Sequence, residues 1–520
     1  MERVDTSTGP ARPAPLSRVT VLSLIAGTGV TAALVFLLVK SSLTDDAYIT
    51  LAYAKNVATD LHWGLIPQEV ANSATSPLNV ILLALAAAVT GILGDVHPVA
   101  GLGLVTVGLS MAMAWGLTRI VRAMSLPVGT VVLSLALVLL NPLVLSAIGL
   151  EVILIPAVLV LMVAMAAEGR VFWFGVLAGL AVMTRLDLIV FVLAIAFFTA
   201  AVRRRLLRAV AGAVVTAGPW YVFSWVALGS AIPDTLVIKT LQQGLFAPWS
   251  FISGPVMYFL GNKLIITLAF GAAVLGVIAV VGWAALRTAT RWDEDSAVRR
   301  IMPAAALGLG AIVYYAVYSF MRVGPYHWYY VTPIVSLSIF LAIAVGAWRA
   351  SAQAQPSLRK GAPAVALALV ALFGLGNLAA DVKQGVPWEA PPLFGNWASA
   401  KDYARVAKEI GARVGDKTVA SPGEIGTFAY FCDCAIVDEF SDRGRVLGKV
   451  QFKIDESNPV TSLALRANYA WLDFTAQPRP VDYKILYAPG PATGPDSWTV
   501  YSAAKGIGHF TLVPADYRPK

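Results

Sequence analysis

Long apolar runs, separated by short polar or basic stretches, dominate the chain up to about residue 381. They fall at about residues 19–39, 76–94, 98–120, 127–147, 151–167, 171–184, 187–202, 207–228, 264–286, 301–321, 329–348 and 362–381. About 20 apolar residues in a helix span the hydrocarbon core of a bilayer, so repeated runs near this length predict an α-helical polytopic membrane protein. From about residue 382 the pattern changes. Charged helical stretches such as 398–414 alternate with short β-rich runs at 418–420, 434–437 and 483–488. This predicts two parts, a transmembrane catalytic domain over 1–381 and a soluble C-terminal α/β domain over 382–520, linked through Pro391-Pro392. Residues 46–58 read differently again. Ile49, Leu51, Tyr53 and Val57 are interrupted by Lys55 and Asn56, which predicts a helix lying along the membrane surface.

The chain is 58% hydrophobic and 13% charged, against about 25% charged residues in a soluble domain. Its formal charge of +9 is no nucleic-acid footprint, because the arginines cluster at the ends of apolar runs. Arg203-Arg204-Arg205 with Arg208, Arg299-Arg300 and Arg359-Lys360 are examples, and this pattern reports orientation. Arg3, Arg12 and Arg18 precede the first run without a small-residue cleavage site, so 19–39 reads as a retained span. Basic loops in the cytoplasm place 41–75, 185–187, 229–262, 322–328 and the C-terminal domain outside the cell membrane. Four apolar segments then lie between 75 outside and 168 inside, where an odd number of crossings is required. The total becomes 11 or 13 spans. Arg119 and Arg122 give the third segment an inside end, which leaves 76–94 as the segment expected not to cross fully. The two cysteines, in Phe431-Cys432-Asp433-Cys434, read as two small buried side chains on a strand. A bridge across one residue would be strained, and a lone Cys-x-Cys is a weak metal signal.

Directly after the first run the chain reads Thr44-Asp45-Asp46-Ala47-Tyr48-Ile49-Thr50. Carboxylates beside lipid are costly and usually mark a site. Thr44 or Asp45 would equally well cap the helix that follows, and the two roles are compatible. Other polar elements converge on the same outer face. The loop at 41–75 adds Lys55, Asn56, His62, Trp63, Glu69 and Thr75-Ser76-Pro77. Arg185, in Thr184-Arg185-Leu186-Asp187, either grips a phosphate with its planar fork or simply pairs with Asp187. Pro233-Asp234-Thr235, followed by Lys239, is either part of a site or a turn opening a helix. Arg322 begins a cluster of Tyr326, His327, Trp328, Tyr329 and Tyr330, which an interfacial aromatic belt would also contain. Glu151 falls in the outer loop between two apolar segments.

A carboxylate pair, cations and aromatic platforms on one face suit a lipid-phosphate-linked sugar. Asp45 or Asp46 would take the proton from an acceptor hydroxyl. Arg185 would stabilise charge on the departing phosphate, with Arg322, Lys239, Lys263 and His327 as further candidates. Aromatic rings such as Trp63 and Tyr329 would stack on sugar, and Glu151 would line the substrate. Beyond the lipid-linked donor the sequence identifies no cofactor and no metal site.

These stretches resemble the GT-C-type glycosyltransferases that use polyprenyl-phosphate sugars. The resemblance is carried by Asp45-Asp46-Ala47-Tyr48-Ile49-Thr50, by Tyr53-Ala54-Lys55-Asn56 and by Thr75-Ser76-Pro77-Leu78. Weaker matches are 146–151, 179–185, 229–235 with Lys239-Thr240, and 420–426 before Val437-Asp438. The resemblance implies that one of Asp45 and Asp46 is the catalytic base. It also implies a polyprenyl-phosphate donor carrying arabinofuranose or mannose, and a glycan, glycolipid or protein acceptor. The chain departs from the family pattern at 68–74 and at Asp234, where relatives often carry Asn. Two other classes fit the composition: a flippase for lipid-linked sugars, and an assembly subunit whose Asp pair only caps a helix.

Overall fold

The computed structural model describes residues 16–241, 246–289, 296–352 and 361–518. Arg3, Arg12, Arg359 and Lys360 lie outside the described residues. The apolar runs become helices close to where the pattern puts them. They are α1 (Arg18–Val39), α3 (Pro77–Thr90), α4 (Pro98–Ala123), α5 (Gly129–Leu139), the short α6 (Pro142–Leu145), α7 (Leu154–Ala167) and α8 (Val171–Thr184). There follow α9 (Ile189–Phe198), α10 (Ala200–Arg203), α11 (Leu206–Ala227), α14 (Lys263–Ala289), α16 (Met302–Phe320) and α17 (His327–Ala352). The last run is α18 (Gly361–Leu369) and α19 (Gly376–Lys383), joined by a π-helical turn at Val370–Leu375. Between α1 and α3 lies α2 (Asp45–Asp60), and the outer loops add α12 (Thr235–Leu241), α13 (Gly254–Gly261) and α15 (Ala297–Arg300).

Among the described residues seven helices are long and apolar enough to cross a bilayer, and five shorter apolar ones lie between them. The chain is a multi-pass membrane protein. Three of the four segments between residues 75 and 168 are short. α3 and α7 have 14 residues each, about 21 Å at 1.5 Å per residue, and α5 has 11, so all three fall short of the hydrocarbon thickness and length does not single out α3.

Among the described residues the five strands fall in the C-terminal region: β1 (Thr418–Ala420), β2 (Ala435–Val437), β3 (Tyr483–Pro489), β4 (Ser497–Ser502) and β5 (Gly506–Pro514). They form a mixed sheet in the order β2-β1-β3-β5-β4, parallel among β2, β1 and β3 and antiparallel at β5. Around it lie α20 (Ala400–Val414), α21 (Gly426–Phe431), α22 (Arg443–Glu456) and α23 (Pro459–Asn468). Ser399 caps α20 through its side chain, and Gly415 ends it with φ +55°. Its buried face, Tyr403, Val406, Ala407, Ile410 and Val414, packs on the sheet.

The cysteines do not sit on a strand. Cys432 and Cys434 flank Asp433, whose φ of +51° turns the chain between α21 and β2, and they form a disulfide with Cα atoms 5.1 Å apart. The expectation of two separate thiols is thereby overturned, although both residues are buried as expected. The left-handed residue is what folds the two Cβ atoms toward each other.

The C-terminal region shares a core with the membrane part. One apolar cluster joins Ala52, Tyr53, Trp63 and Leu65 to Tyr403, Ile410, Phe428 and Phe510. In this seam α2 is sandwiched between α3 and α21.

Candidate active site

Helix α2 turns by about 100° per residue, so its two adjacent carboxylates point in different directions. Asp45 points toward the C-terminal region. It accepts hydrogen bonds from the backbone N–H of Gly426 (3.0 Å) and Thr427 (2.7 Å) and from the Thr427 hydroxyl (2.8 Å), at the start of α21. A Cβ at Gly426 would collide with the Asp45 carbonyl oxygen, so this approach requires glycine. Thr44 does not cap its own helix; its hydroxyl donates to Asn396 at 2.8 Å. Capping is thus found across the seam rather than within α2. Burial pushes the Asp45 carboxyl up to about 6, against the pull of these hydrogen bonds.

Asp46 points into open space. Among the described residues its carboxylate has no side-chain hydrogen-bond partner and no ion pair. Burial raises its pKa, while Lys239 opposes the shift. It lines a chamber of about 620 Å³ whose walls include Ser73, Thr75, Glu151, Thr235, Tyr326, His327, Asn396, Trp397 and Glu424. A second cavity of about 440 Å³ is largely apolar, bounded by Ile189, Val190, Leu236, Trp249, Val317 and Met321. Thr75, Arg185, Thr235, Lys239, Phe246, Tyr326 and Tyr329 line both. A polar chamber therefore opens onto an apolar groove between helices, with cations at the junction.

Lys239 sits one turn beyond Thr235 on α12, on the same face. Its ammonium lies 4.5 Å from the Tyr326 ring centre and 5.8 Å from that of Phe440. Burial weighs against its charge, but Tyr329, Asp46 and Tyr326 more than compensate, and its pKa stands above the ordinary lysine value. The loop before it is fixed by Asp234, which accepts from Ser230 (3.1 Å) and pairs with Arg443 (3.4 Å). Asn72 ties the same loop through Ser224 and Ser230.

Arg185 reaches the junction with its fork already closed. Its Nη1 donates to Glu151 at 2.6 Å, its Nε and Nη2 to Asp187 at 3.0 and 2.7 Å, and Nη2 also to the Tyr318 hydroxyl at 2.9 Å. The pairing with Asp187 is present, and Glu151, expected in the outer loop and on the substrate, adds a second carboxylate to the clamp. One guanidinium between two carboxylates leaves this buried cluster with a net charge of −1.

The remaining candidates divide. Tyr329 lines both cavities beneath Arg185, 4.9 Å from its guanidinium carbon. His327 lines the chamber, and its Nε2 is buried without a partner. Arg322 is exposed and borders the apolar groove only. Trp63 lines neither cavity. It is buried between Tyr53 and Trp220, with ring centres at 5.6 and 4.6 Å, so its expected place on a sugar is corrected to core packing.

No family model and no curated protein matches the chain. Among solved structures it is similar to the apo oligosaccharyltransferase of Archaeoglobus fulgidus, at 13% identity over 90% of this chain and 70% of that one, with a TM-score of 0.49. The same archaeal enzyme in complex with an inhibitory peptide and a dolichol-phosphate gives 12% identity and 0.49. Arabinofuranosyltransferase AftD from mycobacteria gives 14% identity over 97% of this chain but 40% of that one, with a TM-score of 0.46. Each of these neighbours is a glycosyltransferase. At such values the likeness assigns no activity.

Sequence reasoning did not single out Glu424, Asn396 or Trp397. Glu424 accepts from Asn396 Nδ2 and the Trp397 backbone N–H, both at 3.1 Å, and from the Tyr403 hydroxyl; burial pushes it up to about 7. Glu424 fell within the weaker family-like stretch 420–426, where no role was attached to it. Among the described residues no three His, Cys, Asp or Glu side chains gather as a metal site.

Proposed function

We propose that the chain is a membrane glycosyltransferase of the GT-C type, which moves a sugar from a polyprenyl phosphate to an acceptor hydroxyl at the outer face of the cell membrane. The observation that carries this reading is Asp46, an open carboxylate in a polar chamber that is continuous with an apolar groove. The prenyl chain would lie in the groove and the sugar in the chamber, with the phosphate at their junction. Asp46 would take the acceptor proton as the oxygen bonds to the anomeric carbon, and its raised pKa suits a base working near neutrality. The bond from that carbon to the phosphate oxygen breaks, and charge grows on the prenyl phosphate. Lys239, half-buried and without a carboxylate clamp among the described residues, is the cation best placed to meet it. Arg185, already held by two carboxylates, would fix the wall and Tyr329 rather than grip oxygens. The outer placement is supported by the basic loops and by the disulfide, since disulfides persist in oxidising compartments. Arabinofuranose or mannose is the sugar to try first.

The test uses purified protein with polyprenyl-phosphate sugars and an envelope glycan. Release of prenyl phosphate is expected from the wild type. Lys239→Met should lose donor binding, and Arg185→Lys should keep most of it. Wild-type donor affinity in Lys239→Met would move the phosphate elsewhere. Transfer of donor across a vesicle bilayer without release of prenyl phosphate would favour the flippase.

A further inference from the structure

At the end of α8 away from Arg185, about 21 Å along the helix at 1.5 Å per residue, a separate depression of about 320 Å³ is lined by Arg170, Phe172, Trp173, Arg205 and Arg208. The cations come from the starts of α8 and α11, which pack side by side. Their charge is poorly compensated. Arg170 pairs with Glu168 at 3.1 Å, but that carboxylate is already shared with Arg119. Arg205 and Arg208 have no ion-pair partner among the described residues. Its apolar lining is open, Phe172 being 42% and Trp173 55% exposed, and Leu206 and Leu207, between Arg205 and Arg208 in the chain, are 53% and 85% exposed.

Orientation alone explains basic residues at a helix end. It does not explain three guanidinium groups lining one concavity with an exposed indole and leucines beside it. A guanidinium fork matches phosphate oxygens, and Trp favours the headgroup level of a bilayer. Leu206 and Leu207 supply surface for acyl chains. A free anion would use the arginines and leave this rim without a role. We infer that the depression is a binding site for the phosphate headgroup of an anionic membrane lipid, in the leaflet opposite the active-site chamber. The site is independent of the donor groove: it shares no lining residue with either cavity of the chamber.

The experiment is native mass spectrometry of the full-length protein in detergent, titrated with phosphatidylglycerol or phosphatidylcholine. The wild type should retain one phosphatidylglycerol in clear preference to phosphatidylcholine. Arg205→Gln/Arg208→Gln should weaken that first binding step by about tenfold or more, since each basic residue at a lipid surface contributes appreciably. Trp173→Ala should weaken it less, and far-ultraviolet circular dichroism of both variants should match the wild type. Inorganic phosphate at millimolar concentration should not displace the lipid. An equal retention of both lipids, an unchanged preference in the double variant, or displacement by inorganic phosphate would each overturn the assignment.

Discussion

Two neighbouring aspartates separate into distinct jobs because a helix cannot point consecutive side chains the same way. Asp46→Asn should cut turnover about 10²–10⁴-fold while leaving the melting temperature near wild type, as for loss of a general base. Asp45→Asn should do the reverse. One amide oxygen cannot replace a carboxylate that takes three hydrogen bonds, so stability should fall by roughly 1–3 kcal/mol, with turnover recovered at low temperature. Thermal unfolding and initial rates on the two variants check both halves. The burial that raises Asp45 to about 6 and Glu424 to about 7 also has a pH signature. Between about pH 4 and 7 the folded protein keeps protons that the unfolded chain has released. Stability should therefore fall as pH rises through this window. The melting temperature of Glu424→Gln should depend less steeply on pH than that of the wild type over the same range.

Arg185 draws together the turn before α7, the end of α8, the turn into α9 and, through Tyr318, α16. Removing its charge alone leaves Glu151 and Asp187 buried and unopposed, and breaking such a buried pair costs about 3–5 kcal/mol. Arg185→Gln should therefore express poorly. Arg185→Gln combined with Glu151→Gln and Asp187→Asn should restore much of the folded yield, measured by size-exclusion chromatography in detergent. The apolar runs were legible to within a few residues because composition and length alone decide a bilayer helix. Strands β4 and β5 were missed, since Ser497–Ser502 and Gly506–Pro514 mix polar and apolar residues and gain their burial only when β5 pairs with β3 and β4 with β5. Asp46 and Lys239 were legible as candidates, but which of the two aspartates, both of which line the chamber, keeps an unbonded carboxylate was not. That depends on where α21 docks, a contact 381 residues away in the chain.

The membrane and C-terminal parts were separable by composition, yet they fold around a common seam. Tyr53 and Trp63 share a core with Phe428 and Phe510, and the chamber takes Asn396, Trp397 and Glu424 from beyond residue 384. A chain truncated after Gln384 should still insert in the membrane but bind no donor, because α2 loses its covering and the chamber one wall. Donor-binding assays on the truncated protein check this; retained affinity would mean that the membrane part alone builds the site.

A pocket whose opposing walls come from remote stretches of one polypeptide can change one wall and keep the other. Asp46, Lys239 and the groove lie on stretches before residue 330, whereas Trp397 and Glu424 lie after it. Under the proposed function, recombination near residue 385 would exchange the Trp397 and Glu424 wall of the chamber and leave Asp46, Lys239 and the groove in place. Hybrids of that kind, provided Gly426 and Thr427 are kept to receive Asp45, would be a practical route to altered glycan linkages.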